Sequence, residues 1–436
     1  MKRLATTIAV ALFSFALGWA GALVFGRDLA LTRLIPQLGP GAALNSETPE
    51  PLRQQFGIFW EVWNLVESQS YQRQGLDSQR MIRGAIDGML ASLDDPYTVY
   101  QEPELAKQTA EHMQGKQAGI GTYLRITDGR VYLWKPFKNG PAVAAGLRQD
   151  DELLAIDGQV VSPLIAGLSI NDAAVKIGGL LRGDPGTQLT LKIGRAGAAE
   201  RDLTLTRAEI VVPSVEGRML SGKTAYLRIG EFKTTTTEEL DVVMRELLAQ
   251  RPTGFVLDLR NDPGGYLDQA REVLGRFYSG VALYQEDGER RQTELRTSDA
   301  PQELRAYSQP VVVLVNGGSA SASEIVAGGL RDARQGVTLL GEKSYGKGSV
   351  QNIFGISNGG SARITVTHWL TPNKSAINKV GIVPQYVVPY SEDLATPAPC
   401  VADRLPADGQ TVCGDSQLYY ATRLLETGAA PPVPPA

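Results

Sequence analysis

The chain has 436 residues, 43% of them apolar and 21% charged. That is ordinary globular usage, which excludes a wholly disordered chain and, at roughly 150 residues per domain, implies two to four domains. Lys and Arg number 43 against 47 Asp and Glu, giving a net charge of -4 with only two histidines and two cysteines. A nucleic-acid partner is therefore not expected, and without HExxH or CxxC patterns neither a zinc hydrolase nor a metal site fits. A cysteine protease does not fit either, because Cys400 and Cys413 lie in a Pro-rich C-terminal stretch without a nearby histidine.

Lys2 and Arg3 precede an uncharged run from Leu4 to Gly26, which Arg27 ends. The run is long enough to span a bilayer core of about 30 Å as a helix, and the leading positive charges place the N-terminus in the cytoplasm and the body outside. An uncleaved anchor over residues 1–26 is favoured because the apolar run continues past Ala20-Gly21-Ala22. A signal peptide cleaved there is the other reading. Both export the body to the periplasm or cell exterior, where a disulfide is allowed. Cys400 and Cys413 are then expected to pair and staple a C-terminal loop, with two free thiols as the alternative.

Residues 27–115 read as a linker followed by a helical region. Phe56, Phe59, Trp60, Trp63 and Val66 recur at three- and four-residue intervals and share a helix face, and Met81, Ala85, Met89 and Leu90 mark a second helix that Pro96 stops. Both stripes are expected to pack. From Gly119 the character changes to strands: Val131-Tyr132-Leu133, then Gly140-Pro141-Ala142 opening a short helix, then Asp151 to Ile156 with a tight Asp157-Gly158 turn. A helix from Ile170 to Leu181 and a strand from Gln188 to Ile193 follow. With Ala145-Gly146-Leu147 and Ile156-Asp157-Gly158, this order resembles a PDZ domain of the bacterial, permuted type over 116–212. The resemblance implies that an extended peptide adds to a sheet edge, with its carboxylate at the loop Gly119, Ile120, Gly121 and Thr122. An ordinary turn between strands is the alternative for that loop.

Beyond Thr224 the pattern is α/β. Tyr226 to Ile229, Gly254 to Leu259, Val311 to Val315 and Val337 to Leu340 read as strands, and Thr237 to Ala249 as a helix with Leu240, Val243, Met244, Leu247 and Leu248 on one face. Two of the strands run into glycine-rich turns that open helices, Asn261-Asp262-Pro263-Gly264-Gly265 and Asn316-Gly317-Gly318-Ser319-Ala320-Ser321. Sites in α/β sheets form where strands end and helices begin, and free N–H groups there suit an oxyanion. A serine on such a turn is a nucleophile if a base lies nearby. His368, on a strand from Ile364 to Leu370, is one candidate. Lys347 is the other, with Gln351 four residues on to orient its amine. Gly341-x4-Gly346-Lys347 nearly matches a phosphate-binding loop, but Gly348 stands where Ser or Thr should bind magnesium and a strand follows instead of a helix.

Together, Gly84 to Leu90, Asp95-Pro96-Tyr97, Asp258 to Gly265, Gly318 to Glu324 and Tyr345-Gly346-Lys347-Gly348-Ser349-Val350-Gln351 resemble the carboxy-terminal processing peptidases, PDZ-containing serine proteases with a Ser–Lys dyad. The resemblance covers about Phe56 to Tyr386. It implies an α/β protease core (a mixed sheet with helices) over 213–395, with an inserted PDZ-like β-rich domain and an N-terminal helical region, to which the apolar run Leu4 to Gly26 adds an N-terminal transmembrane helix. It assigns Ser321 as nucleophile, Lys347 as base and Gln351 as its orienting partner. The oxyanion donors are Ala322 N–H and a glycine of the turn, Gly264 or Gly265. Ser319 and Ser323 are expected to cap the helix, and Glu324 to complement its dipole. The expected substrates are proteins or peptides with apolar C-termini, no cofactor is expected, and a homodimer is open. The family's Thr-Pro-x-Gly and Gly-Ile-x-Pro-Asp pieces stand here as Thr371-Pro372-Asn373-Lys374 and Gly381-Ile382-Val383-Pro384-Gln385. The tail, 396–436, with its cysteines and a short helix near Asp415 to Glu426, lies outside the resemblance, and its last residues from Ala429 read as disordered. A membrane-anchored, non-catalytic PDZ scaffold is the rival class, and a histidine-based serine hydrolase a third.

Overall fold

The computed structural model describes residues 49–134, 136–137, 140–168, 170–401 and 412–432. The expected anchor, residues 1–26, lies outside them, and among the described residues no helix is long and apolar enough to cross a membrane. The chain forms two units, one running to Ala106 and also taking in Gln351–Thr365, the other comprising Lys107–Val350 and Val366 onward.

In the first unit the two expected helices form, at Arg53–Gln69 and Ser78–Ala91, the second N-capped by the Asp77 carboxylate, which accepts from Gln79 and Arg80 N–H. The expected inward packing of the first stripe is not found among the described residues. That helix buries no side chain; Phe56 and Trp60 are 42% and 52% exposed, and its rings meet one another, Phe59 and Trp60 at 5.1 Å. The second helix buries only Leu90. The strand Val99–Gln101 pairs antiparallel with the start of Ser361–Leu370, Val99 opposite Arg363, which explains why a segment expected inside the core groups with the N-terminal helices.

The second unit holds two sheets that matter for the site. The first is antiparallel, in the order Tyr123–Thr127, Arg130–Trp134, Asp151–Ile156, Gln188–Gly194, Arg201–Thr206. Ala173, Ile177 and Leu181 of the helix Ile170–Leu181, spaced by four, are buried in the same core as Leu133, Leu153, Leu189 and Leu191. Tyr123–Thr127 is an edge strand. Beside it a cavity of about 270 Å³ is lined by Gly119–Thr122, Leu124, Ala174 and Leu181.

The second sheet runs Val215–Met219, Thr224–Ile229, Gly254–Asp258, Val311–Val315, Val337–Gly341, Tyr386–Val387, with all but the first pairing parallel. Its central strand Val311–Val315 is apolar at every position because both faces are covered. Leu227, Phe255, Leu257, Val311 and Val313 face one cluster, completed by Leu240 and Met244 of Thr236–Ala249, Val273 of Leu267–Gly275 and Val326 of Ala322–Ala333. Tyr226, Val256, Val312 and Leu314 face another, completed by Leu418 and Ala421 of the tail helix Ser416–Thr427. The tail is thus a layer of the core. It is stapled by the Cys400–Cys413 disulfide across the paired strands Pro397–Pro399 and Val412–Gly414.

Candidate active site

The two glycine-rich turns leave neighbouring parallel strands, Gly254–Asp258 and Val311–Val315, and are laced together. Asn316 Oδ1 accepts from Asn261 N–H (2.9 Å) and Gly318 N–H (3.0 Å), and Asn316 Nδ2 donates to Asn261 Oδ1 (2.9 Å). Ser319 and Ser323 belong to this lacing. The expectation that they cap the helix fails because each hydroxyl points across to the other turn: Ser319 Oγ donates to Leu259 O (2.8 Å) and Ser323 Oγ to Asp262 O (2.9 Å).

Ser321 is the N-cap of Ala322–Ala333 and sits at φ 56°, ψ -114°. A non-glycine residue there costs about 1–3 kcal/mol and persists only where its surroundings impose it. Its neighbours Ala320 and Ala322 are buried while Ser321 itself is half-buried. Beside it, Gly264 adopts φ 98°, and a Cβ there would lie 2.7 Å from both Ala320 O and Ser321 Cβ, so only glycine lets the turns approach so closely. Gly264 N–H is already taken, donating to Asp262 Oδ1 at 2.8 Å. Gly265 is exposed, and its bridge to Phe232 uses Gly264 O and Tyr266 N–H. Of the two glycines offered as oxyanion donors, Gly265 is therefore the one whose N–H these bonds leave uncommitted, alongside Ala322 N–H in the first turn of the helix.

Lys347 follows strand Val337–Gly341 on a loop that Glu324 gathers in. The Glu324 side chain is fully buried. Its Oε1 accepts from Ser344 Oγ (2.5 Å) and Gly346 N–H (2.8 Å), its Oε2 from Lys347 N–H (2.9 Å) and Ser321 N–H (2.9 Å). Glu324 thus does far more than complement the helix dipole. Trp369, itself buried, receives the far side of the loop: its Nε1–H donates to Lys347 O (3.2 Å) and its N–H to Gly348 O (2.9 Å). Gly346 and Gly348 are needed for this approach, since a Cβ on either would lie within 2.8 Å of the 378–381 backbone. The backbones of Ser321 and Lys347 are brought together. Gln351 belongs to the other unit, where its Nε2 donates to Thr365 Oγ1 at 3.0 Å. His368 is exposed, on a strand position opposite Glu286. Among the described residues no cluster of His, Cys, Asp or Glu is suited to a metal.

The sequence reading missed Glu324 as the hub, together with Ser344, Trp369 and Asp262. Glu324 had a signal: Ser321-x-x-Glu324 is a capping-box spacing. Trp369 and Ser344 had none, because their roles depend on strand register.

A strained strand-to-helix elbow that presents a serine serves serine-type hydrolysis. Comparison with known proteins agrees. Residues 223–388 match peptidase family S41, and residues 42–105 match the activating protease CtpB N-terminal domain. The chain is 34% identical over 332 residues to the carboxy-terminal processing protease CtpB of Bacillus subtilis, covering 75% of this chain and 66% of that one. It is 37% identical over 317 residues to the carboxy-terminal-processing protease of Bartonella bacilliformis, covering 72% and 70%. A Bacteroides fragilis structure assigned to the S41 proteases shares the fold at a TM-score of 0.51 and 18% identity, over 78% of this chain and 90% of that one. The chain belongs to the carboxy-terminal processing proteases of peptidase family S41, which are serine-type peptidases.

Proposed function

We propose that this chain is an extracytoplasmic endopeptidase that captures protein C-termini in a PDZ domain and cleaves C-terminal segments with a Ser321–Lys347 dyad. The single observation that carries the reading is Glu324, whose one carboxylate oxygen takes the amides of both Ser321 and Lys347. A buried anion spent on fixing two main-chain segments indicates that the positions of their side chains matter. In the reaction, the neutral Lys347 amine takes the Ser321 proton as Oγ attacks the scissile carbonyl. Ala322 and Gly265 N–H stabilise the oxyanion. The Lys347 ammonium gives its proton to the departing amine as the C–N bond breaks and the acyl-enzyme forms; the neutral amine then takes a proton from the attacking water and returns it to Ser321 Oγ as the ester bond breaks. Residues 116–212 are the PDZ domain: the edge strand Tyr123–Thr127 beside the helix Ile170–Leu181 offers a place for an added strand, and the apolar lining from Leu124, Ala174 and Leu181 suits an apolar C-terminus. Residues 1–26 export the chain and anchor it, and the Cys400–Cys413 disulfide accords with an oxidising compartment.

The test uses the chain lacking residues 1–26, an unstructured protein ending in apolar residues, and the same protein ending in acidic residues. Wild type should cleave the first and spare the second, and Ser321→Ala and Lys347→Ala should each bind without cleaving. Cleavage by either variant would remove the dyad; equal cleavage of both substrates would remove C-terminal recognition by the groove.

A further inference from the structure

Beneath the glycine turn lies a carboxyl group that the proposed chemistry does not use. Asp262 is fully buried. Its main-chain carbonyl accepts from Ala320 N–H (3.0 Å) and Ser323 Oγ (2.9 Å), which ties it to both sides of Ser321. Its side chain does a second job, Oδ1 accepting from Gly264 N–H at 2.8 Å, while Oδ2 is buried with no hydrogen-bond partner. One residue thus holds the serine turn by its backbone and the glycine turn by its side chain.

We propose that the Asp262 carboxyl is a positioning group for the oxyanion site, acting as an uncharged acceptor that clamps Gly264 N–H and so fixes the Gly264–Gly265 backbone against Ser321. The inference rests on the serine-nucleophile reading above and adds a residue to it. Two physical arguments favour the uncharged form. A fully buried carboxylate with one oxygen unsolvated is costly, and a negative charge beside the turn would oppose the negative charge that builds on the substrate oxygen. The surroundings favour the neutral acid: burial first, with Glu231 adding to it, pushes the Asp262 carboxyl well above the usual carboxylate range, outweighing Gly264 N–H, the Ser323 hydroxyl and Arg228. The useful atom is then Oδ1 as a hydrogen-bond acceptor, and an amide oxygen can replace it.

The experiment compares full-length wild type, Asp262→Asn, Asp262→Ala and Ser321→Ala in steady-state cleavage of one peptide substrate, with a thermal melt of each. Asn keeps the acceptor without a charge, so Asp262→Asn should retain kcat within about threefold, whereas Asp262→Ala should lose about 100-fold in kcat, the scale of a lost oxyanion contact, with KM little changed. A folded Asp262→Asn as slow as Asp262→Ala would show that the charge is required and overturn the proposal, as would an Asp262→Ala of wild-type kcat. If Asp262→Ala does not fold, Asp262→Asn decides: wild-type kcat supports the clamp and a 100-fold loss refutes it. Residual cleavage by Ser321→Ala at the wild-type rate would instead overturn the serine reading, and with it this inference.

Discussion

The main-chain amides of Ser321 and Lys347 share one acceptor, Glu324 Oε2, at 2.9 Å each. The two nitrogens can therefore be no further apart than twice that distance, although nothing in the chain between them is short or local. Replacing Glu324 by Ala leaves four donors without their acceptor in a buried place, each worth about 1–3 kcal/mol. Glu324→Ala should melt well below wild type and lose at least about 100-fold in kcat. Glu324→Gln, which keeps one acceptor but turns an NH2 toward N–H donors, should fall between. Wild-type kcat and melting temperature in Glu324→Ala would show that the clamp does not position the two residues.

Gly264 offers a sharper steric test. At φ 98° with Ala320 O and Ser321 Cβ 2.7 Å from a Cβ, Gly264→Ala must push the glycine turn off the serine turn. The expected result is a loss of at least about 100-fold in kcat with the circular dichroism of the folded chain retained. Gly317 lies in the same site, yet a Cβ there meets nothing within 4 Å. Gly317→Ala should keep wild-type kcat, and a matching loss there would point to general fragility of the turns.

His368 provides a test of the competition for the base. It is exposed and stands opposite Glu286 in the pairing of Val281–Glu286 with Ser361–Leu370. His368→Ala should leave kcat/KM within about twofold, the usual size of a surface change. Abolished turnover in that variant alone would favour histidine over Lys347.

The elements of the second unit were legible because their signals are local. Strand runs such as Val311–Val315 and the 3.6-residue stripe of Thr236–Ala249 announce themselves, and so do the glycine turns. What escaped reading is non-local. Ser319 and Ser323 look like caps in sequence, and only the neighbouring turn decides otherwise. The aromatic stripe of Arg53–Gln69 has the period of a packed face, but a period shows which residues share a face and not what covers it. The tail lies outside the resemblance, and its charged anchor points carry no motif. Arg260 reaches Asp415 at 3.0 Å only once the sheet and the tail helix are in place.

That tail contact leads to a stability prediction. Arg260, buried and next to the glycine turn, bonds Asp258 through Nε (2.9 Å) and Nη2 (2.6 Å), Asp415 through Nη1 and Nη2 (3.0 Å each), and Gln417 (3.1 Å). Removing one partner of such a group typically costs about 3–5 kcal/mol. Asp415→Ala should accordingly lower the melting temperature strongly. Opening the Cys400–Cys413 loop, which spans 13 residues, should cost about 3 kcal/mol on the chain-entropy estimate. Denaturant unfolding of Cys400→Ser/Cys413→Ser against wild type measures it, and a reducing agent should shift wild type toward the double variant. No shift on reduction would separate the staple from the docking of the tail.

Two buried aspartates, Asp258 at the end of the strand Gly254–Asp258 and Asp262 in the turn that follows, should respond to pH in opposite directions. Burial works to raise the Asp258 carboxyl, but Arg260 overcomes it and holds the group below the usual range. Its stabilisation is present above the unfolded value of about 3.9 and is lost as pH falls through the folded value. Asp262 is raised, chiefly by burial. Its neutral form fits the folded state below about pH 3.9, and stability drains as pH rises from there through the folded value. Asp262→Asn cannot ionise, so its melting temperature should match wild type near pH 3.5 and exceed it progressively as pH rises, by about 2–4 °C for each kcal/mol relieved. Melting both proteins across that range measures the difference directly. A wild type that gains on Asp262→Asn with rising pH would mean that the carboxylate, and not the acid, is the form the fold was built to hold.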